Sequence, residues 1–210
     1  MQDILAPTKD ENNESKPGKN IFLTIDANLQ SSLEKITENA MEKTKAENIM
    51  LIAAEAKTGE ILSYISLPSA NLNEYTKATP EQMKNRPATD SYEPGSVFKI
   101  FSVASFLDAG VIKEDDLFLC DGLYERTMPS GEKIRITCLD HHGWQTARKA
   151  LENSCNDALA QMSEKIESEP FLEKLRELGF GSKPGTELSG ETTGLVRSTS
   201  DRYWSARSKP

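Results

Sequence analysis

The chain has 210 residues, 37% hydrophobic and 28% charged, enough apolar material for one large domain or two small ones. Its 25 basic and 33 acidic residues leave a net charge of -8, which argues against nucleic acid or a bare anionic membrane surface as a partner. No apolar run approaches the roughly 20 residues of a membrane helix, and Met1 to Asn20 is too polar for a signal peptide.

Residues 1–20 hold Pro7, Pro17, Gly18 and many Asn, Lys, Glu and Asp without an apolar period, and read as a polar linker. Asp26 can cap a helix in which Leu29, Leu33, Ile36 and Ala40 recur at helical spacing to about Ala46. Ile49 to Ala56, Lys57-Thr58-Gly59-Glu60 and Ile61 to Leu67 read as strand, tight turn and strand, the first strand continuously apolar and so expected to be well buried. A polar loop with Asn71, Asn73, Pro80 and Pro87 follows to Asp90.

In Tyr92-Glu93-Pro94-Gly95-Ser96-Val97-Phe98-Lys99, Pro94 and Gly95 break the preceding chain and Ser96 opens a helix, placing Lys99 one turn later on the same face. Phe98, Phe101, Val103, Ala104, Phe106 and Leu107 cover nearly all sides of this helix, which is expected to run through a core, and Gly110 ends it. Residues 111–178 are expected to be mainly helical: loops with a small hairpin around Ser130-Gly131, a helix capped by Thr146, a break at Asn153-Ser154-Cys155-Asn156, and two further helices, the last opening at Pro170 and closing at Gly179. Residues 181–210 look like loop.

Cys120, Cys138 and Cys155 are too few for a disulfide scaffold. Cys138-x-x-His141-His142, with Cys120 upstream, has zinc-ligand types without the tight paired spacings of a structural site, so no metal is expected. A Cys120–Cys138 disulfide in an oxidising compartment and two unrelated thiols stay open as alternatives.

Ser-x-x-Lys occurs three times, at Ser32, Ser96 and Ser130. Ser32 lies inside an amphipathic helix and Ser130 in a turn, so only Ser96 has a turn before it and an apolar helix after it. A serine acyl-enzyme needs a base beside the hydroxyl, a proton relay to the leaving amine and a partner for the substrate amide. Lys99, Ser154 and Asn156 are suitable types for those tasks.

Leu23-Thr24-Ile25-Asp26 with Leu29-Gln30, Lys57-Thr58-Gly59-Glu60-Ile61-Leu62, Tyr92-Glu93-Pro94-Gly95-Ser96 with Lys99, His142-Gly143, Ser154-Cys155-Asn156 and Leu178-Gly179-Phe180-Gly181 stand in one order. In that order the chain resembles the transpeptidase domain of class B penicillin-binding proteins, from about Asn20 to its end. The resemblance implies an α/β chain of α+β type, the N-terminal part of the serine transpeptidase/beta-lactamase-like fold, with an antiparallel sheet flanked by helices plus an all-α subdomain. It implies a peptidoglycan D,D-transpeptidase in which Ser96 is the nucleophile, Lys99 its base, Ser154 the proton relay and Asn156 a substrate-amide partner. Peptidoglycan stem peptides are the implied substrates, beta-lactams the covalent inhibitors, and a division or elongation machinery the implied partner. No cofactor is expected. The implied location is the extracytoplasmic face of the cell membrane, with the anchor in the full-length protein only.

The family's third motif, Lys-Thr-Gly after the Ser-x-Asn block, is not found there; Lys57 to Gly59 precedes Ser96 in a hairpin turn and is a decoy. The resemblance therefore implies a segment ending before three of five sheet strands and the closing helix, and starting after the pedestal and anchor. Such a fragment is expected to expose apolar surface and to acylate poorly. The competing readings are a serine beta-lactamase or beta-lactam sensor on the same fold, and a non-catalytic remnant or interaction module.

Overall fold

The structure, a computed structural model, describes residues 18–128, 131–186, 188 and 190–201, in two compact units that divide between Pro87 and Ala88. The linker expected over 1–20 lies, up to residue 17, outside the described residues, as does the turn serine Ser130.

In the first unit Asp26 caps α1 (Ala27–Thr44): one carboxylate oxygen accepts from the backbone N–H of Asn28 and of Leu29, both at 2.9 Å. Strands β1 (Ile49–Ala54) and β2 (Ile61–Leu67) pair antiparallel, from Ile49 opposite Leu67 to Ala53 opposite Ser63. Gly59, at φ 78°, closes the turn by donating its N–H to Glu55 O at 2.8 Å, so Lys57-Thr58-Gly59 is indeed a connecting turn. Gln30 fastens α1 to β2. Its Oε1 accepts from Ser63 Oγ at 2.8 Å and Tyr64 N at 2.9 Å, and its Nε2 donates to Tyr64 O at 3.2 Å. The side chain thus satisfies the edge of β2 that faces away from β1.

Ser63, Ile65 and Leu67 of β2 are buried, whereas β1 has no fully buried residue and Ile52 is 51% exposed. The expectation of a well-buried first strand is therefore corrected. Helix α1 covers β2, and among the described residues β1 pairs with β2 alone. The polar stretch after Leu67 holds one kinked 3-10 segment, Leu72–Lys77, and a single helical turn, Arg86–Thr89.

The second unit begins its core with a 3-10 turn, Gly95–Phe98, that runs straight into α2 (Lys99–Asp108). Gly110, at φ 68°, ends α2: its N–H reaches Leu107 O at 3.0 Å and Val111 N reaches Phe106 O at 3.1 Å, the paired bonds of a left-handed C-terminal cap. Val103, Ser105 and Phe106 are buried, but Val97 and Ile100 are 67% and 57% exposed. The apolar helix is covered on one side rather than all round.

Strands β3 (Leu117–Cys120), β4 (Leu123–Thr127), β5 (Lys133–Thr137) and β6 (Gly143–Thr146) form two antiparallel pairs, the β4–β5 hairpin nested inside β3–β6. Helices α3 (Ala147–Glu152), α4 (Asn156–Ser163) and α5 (Ser168–Glu177) follow. The stretch 111–178, expected to be mainly helical, is thus strand in its first half and helix from Ala147 on. Strands β4 and β5 are the small hairpin expected around Ser130-Gly131; the four-residue runs of β3 and β6 are too short to display a period of two and do not stand out in the sequence. The core gathers Val103 and Phe106 of α2, Phe118 and Cys120 of β3, and the inner faces of α3 to α5. Phe180, just past Gly179, sits edge-on to Phe98 and Phe101 with centroids 5.2 and 4.9 Å away, holding the start of α2.

Candidate functional site

Ser96 lies in the 3-10 turn, exposed, and among the described residues its hydroxyl makes no hydrogen bond. Three residues later Lys99 begins α2, its backbone N–H held by the carbonyls of Ser96 and Val97. The fold places the lysine against a segment 55 residues away.

That segment is the joint between α3 and α4. Ser154 N reaches Leu151 O at 3.0 Å and Cys155 N reaches Ala150 O at 2.9 Å, the same cap that Gly110 makes for α2. Here the left-handed position is filled by a serine, at φ 51°. A non-glycine residue there costs about 1–2 kcal/mol, so the chain holds Ser154 in a strained backbone position. Cys155 then caps α4, its Sγ accepting from Ala158 N at 3.4 Å.

The strained joint aims three oxygens at one amine. Lys99 Nζ lies 2.6 Å from Ser154 O, 2.9 Å from Ser154 Oγ and 2.6 Å from Asn156 Oδ1. The Asn156 amide is oriented from its other end, since Nδ2 donates to Thr137 O at 3.0 Å. Burial pulls the Lys99 pKa below its ordinary value, against the opposing influence of Cys138 and Cys155. A neutral amine would keep two N–H donors for Ser154 O and Asn156 Oδ1 and turn its lone pair to a hydroxyl. Of the four expected site residues, the structure joins Lys99, Ser154 and Asn156 by hydrogen bonds and leaves Ser96 one helical turn away.

Ser32, which has the same spacing to a lysine, does not share the setting. Ser32 Oγ donates to Asn28 O at 2.8 Å within α1, away from any such cluster.

Behind the joint lies a second group. The three cysteines are unbridged, so the Cys120–Cys138 disulfide is absent. Cys120 at the end of β3, Cys138 just after β5, His142 just before β6 and Cys155 bring their Sγ and ring-nitrogen atoms within 4.8 Å of one another. Burial pushes the Cys138 thiol up, but backbone N–H groups of Asp140, Asp157 and Asn156 outweigh it and hold the group down at about 6; burial pushes Cys155 up to about 12. Cys120, Cys138 and His142 stand together in the sequence reading as zinc-ligand types, and the structure adds Cys155 to them. The Cys138-x-x-x-His142 spacing was the available signal, but Cys155 sits inside the Ser-x-Asn block and carries no spacing signature of its own.

Residues 49–208 match the model of the penicillin binding protein transpeptidase domain family. The chain is 30% identical over 184 residues to stage V sporulation protein D of Bacillus subtilis (strain 168), covering 86% of this chain and 28% of that protein. It is 28% identical over 185 residues to peptidoglycan D,D-transpeptidase FtsI of Escherichia coli (strain K12), covering 87% of this chain and 30% of that one. It therefore spans less than a third of the length of either relative. Among solved structures, a transpeptidase domain of Burkholderia pseudomallei penicillin-binding protein 3 superposes with a TM-score of 0.70 at 24% identity, over 87% of this chain and 50% of that one. A peptidoglycan glycosyltransferase from Burkholderia ambifaria superposes at 0.72, also at 24% identity, over 84% of this chain and 51% of that one. These superpositions show the fold, a mixed α/β one with antiparallel pairing.

Proposed function

Since the chain belongs to the penicillin-binding protein transpeptidase domain family, we propose that it carries the nucleophile, base, proton relay and amide partner of a peptidoglycan D,D-transpeptidase. The observation that carries this reading is the convergence of Lys99 Nζ with Ser154 Oγ and Asn156 Oδ1, one helical turn from Ser96.

In the proposed reaction neutral Lys99 takes the Ser96 proton as Oγ attacks the carbonyl carbon between the two D-alanines of a stem peptide. The new ester C–O bond forms and the peptide C–N bond breaks. Ser154, hydrogen-bonded to the protonated lysine, passes a proton to the departing D-alanine amine. The amine of a neighbouring stem then attacks the ester, forming the cross-link and returning the proton to Ser96. Asn156 Nδ2, now donating to the Thr137 carbonyl, has a second hydrogen for a substrate carbonyl. A beta-lactam carbonyl enters by the same first step and leaves Ser96 acylated.

Lys99 must be neutral to act. A lysine base near neutrality needs a pKa about three units below ~10.4, and the direction that burial gives Lys99 is the one required. Among the described residues no helix is long and apolar enough to cross a membrane. The reading places the site on the outer face of the membrane, with stem peptides as substrate and a division or elongation machinery as partner of the full-length protein. The resemblance to FtsI and to stage V sporulation protein D supports that placement.

Labelled penicillin tests the reading on the full-length protein. A stable adduct mapped to a peptide containing Ser96, absent in Ser96→Ala, is expected. An adduct that forms on Ser96 but is released within seconds would mean a beta-lactamase, and absence of any adduct would overturn the assignment.

A further inference from the structure

We infer that Cys120, Cys138, His142 and Cys155 form a zinc site that positions Ser154 and Asn156 against Lys99. The inference rests on the transpeptidase reading only for what the positioning serves; the metal site stands on geometry. Four ligands of a structural Cys₃His centre converge, with Cys120 and Cys155 fully buried and Cys138 and His142 half-buried.

Three of the six ligand separations match those around one ion, and the others lie within 4.8 Å. With Zn–S near 2.3 Å and Zn–N near 2.0–2.1 Å, a tetrahedral centre sets its sulfurs about 3.8 Å apart and each sulfur about 3.6 Å from the nitrogen. In the structure Cys138 Sγ and Cys155 Sγ are 3.7 Å apart. His142 Nδ1 is 3.5 Å from Cys120 Sγ and 3.7 Å from Cys138 Sγ. A disulfide would bring two sulfurs to about 2.05 Å and leave the other two ligands buried without purpose. On binding, each thiol releases its proton to solvent and coordinates as thiolate, while His142 stays neutral and binds through Nδ1. Two further contacts bear on this. The Ala158 N–H already points at Cys155 Sγ, as it would at a thiolate, whereas the Cys120 contact to Asp140 O at 3.4 Å is one that a thiol makes and a thiolate gives up.

The ligands come from four places in the chain: the end of β3, the exit of β5, the entry of β6 and the α3–α4 joint. Two of them adjoin the catalytic segment directly. Cys155 lies between Ser154 and Asn156, and Cys138 follows Thr137, whose carbonyl holds the Asn156 amide. An ion bonded to both fixes the serine in its strained left-handed conformation and fixes the amide's orientation. Zinc here acts as a structural clamp beside the reaction and takes no part in the chemistry.

The test uses the full-length protein purified under reducing conditions with zinc supplied. Plasma mass spectrometry should find about one zinc per chain, and exchange to cobalt(II) should give thiolate charge-transfer absorption with intense tetrahedral visible bands. Cys138→Ser and His142→Ala should lose both signals, while His141→Ala should keep them. Stripping the metal from the unsubstituted protein with a chelator should lower the melting temperature by about 5 °C or more and slow penicillin acylation about tenfold or more, both reversed by zinc and not by magnesium. Zinc-free protein with a normal melting temperature, or a Cys120–Cys138 disulfide found by peptide mapping of protein purified without reductant, overturns the site. Acylation unchanged by chelation overturns the positioning role. Ser96→Ala separates the two readings: it should abolish labelling and retain zinc, so metal without labelling in the unsubstituted protein would sink the transpeptidase assignment and leave the zinc site standing.

Discussion

Ser154 combines a strained backbone with the proposed proton relay. The left-handed cap position it fills is suited to glycine, and Gly110 and Gly179 occupy the same place after α2 and α5. Ser154→Gly should therefore be more stable than Ser154→Ala by about 1 kcal/mol, because only the alanine keeps the Cβ penalty, while both lose the proposed relay. Denaturant melts of the two variants check this; equal midpoints would show that the backbone is not strained. Lys99 supports a second expectation. Burial lowers its pKa, and only the neutral amine can accept the Ser96 proton, so the rate of penicillin acylation should rise with pH through an apparent pKa below that of an ordinary lysine and fall away on the acid side. The groups that oppose the shift are Cys138 and Cys155. Lys99→Arg should remove activity across the range, since a guanidinium does not deprotonate. A rate that is flat from acid to neutral pH would exclude Lys99 as the base.

At the scale of elements, two contacts decide how well pieces are joined. Gln30 is the polar link between α1 and β2, with Ser63 fully buried beneath it. Gln30→Leu should cost about 1–3 kcal/mol, because the Ser63 hydroxyl and the Tyr64 N–H lose their acceptor in a partly buried setting. Unchanged stability on thermal or urea melting would refute that. Glycine at the start of β4 is a second such place. A Cβ on Gly122, at φ 93°, would stand 2.6 Å from the His141 ring, while one on Gly110 would meet open space. Gly110→Ala should cost only the left-handed penalty of about 1–2 kcal/mol, and Gly122→Ala more, since the ring must also move. Both variants are compared with the parent by melting. Much at this scale was readable beforehand. Asp26 announced α1, Thr146 announced α3, and Lys57-Thr58-Gly59 announced a turn, because caps and turns are satisfied within a few residues. The hairpin of β4 and β5 was legible from the turn signal at Ser130-Gly131, but the β3–β6 pair was not, since short runs depend on a partner for their hydrogen bonds rather than on their own pattern.

Across the whole molecule, exposed apolar side chains are numerous: Ile21, Phe22 and Leu23 before α1, Ile52 on β1, Val97 and Ile100 at the start of α2, and Leu139 beside the cysteine cluster. The 210-residue chain studied alone should accordingly self-associate with rising concentration, measured by sedimentation velocity; a monomer over the micromolar range would contradict this. The sequence by itself determined the turn that carries Ser96. Pro94 and Gly95 halt the chain, the apolar helix follows, and Ser96 and Lys99 share a face through helical spacing alone. It also determined that Asn153 to Asn156 breaks one helix from the next. Only the tertiary structure decided that Lys99 meets Ser154 and Asn156, and that three cysteines and a histidine from four separate segments share one small volume. Local periodicity records which face of an element is buried, but not which distant element will cover it. Contacts across tens of residues form because the core closes the loops between them, and no spacing in the chain records that closure.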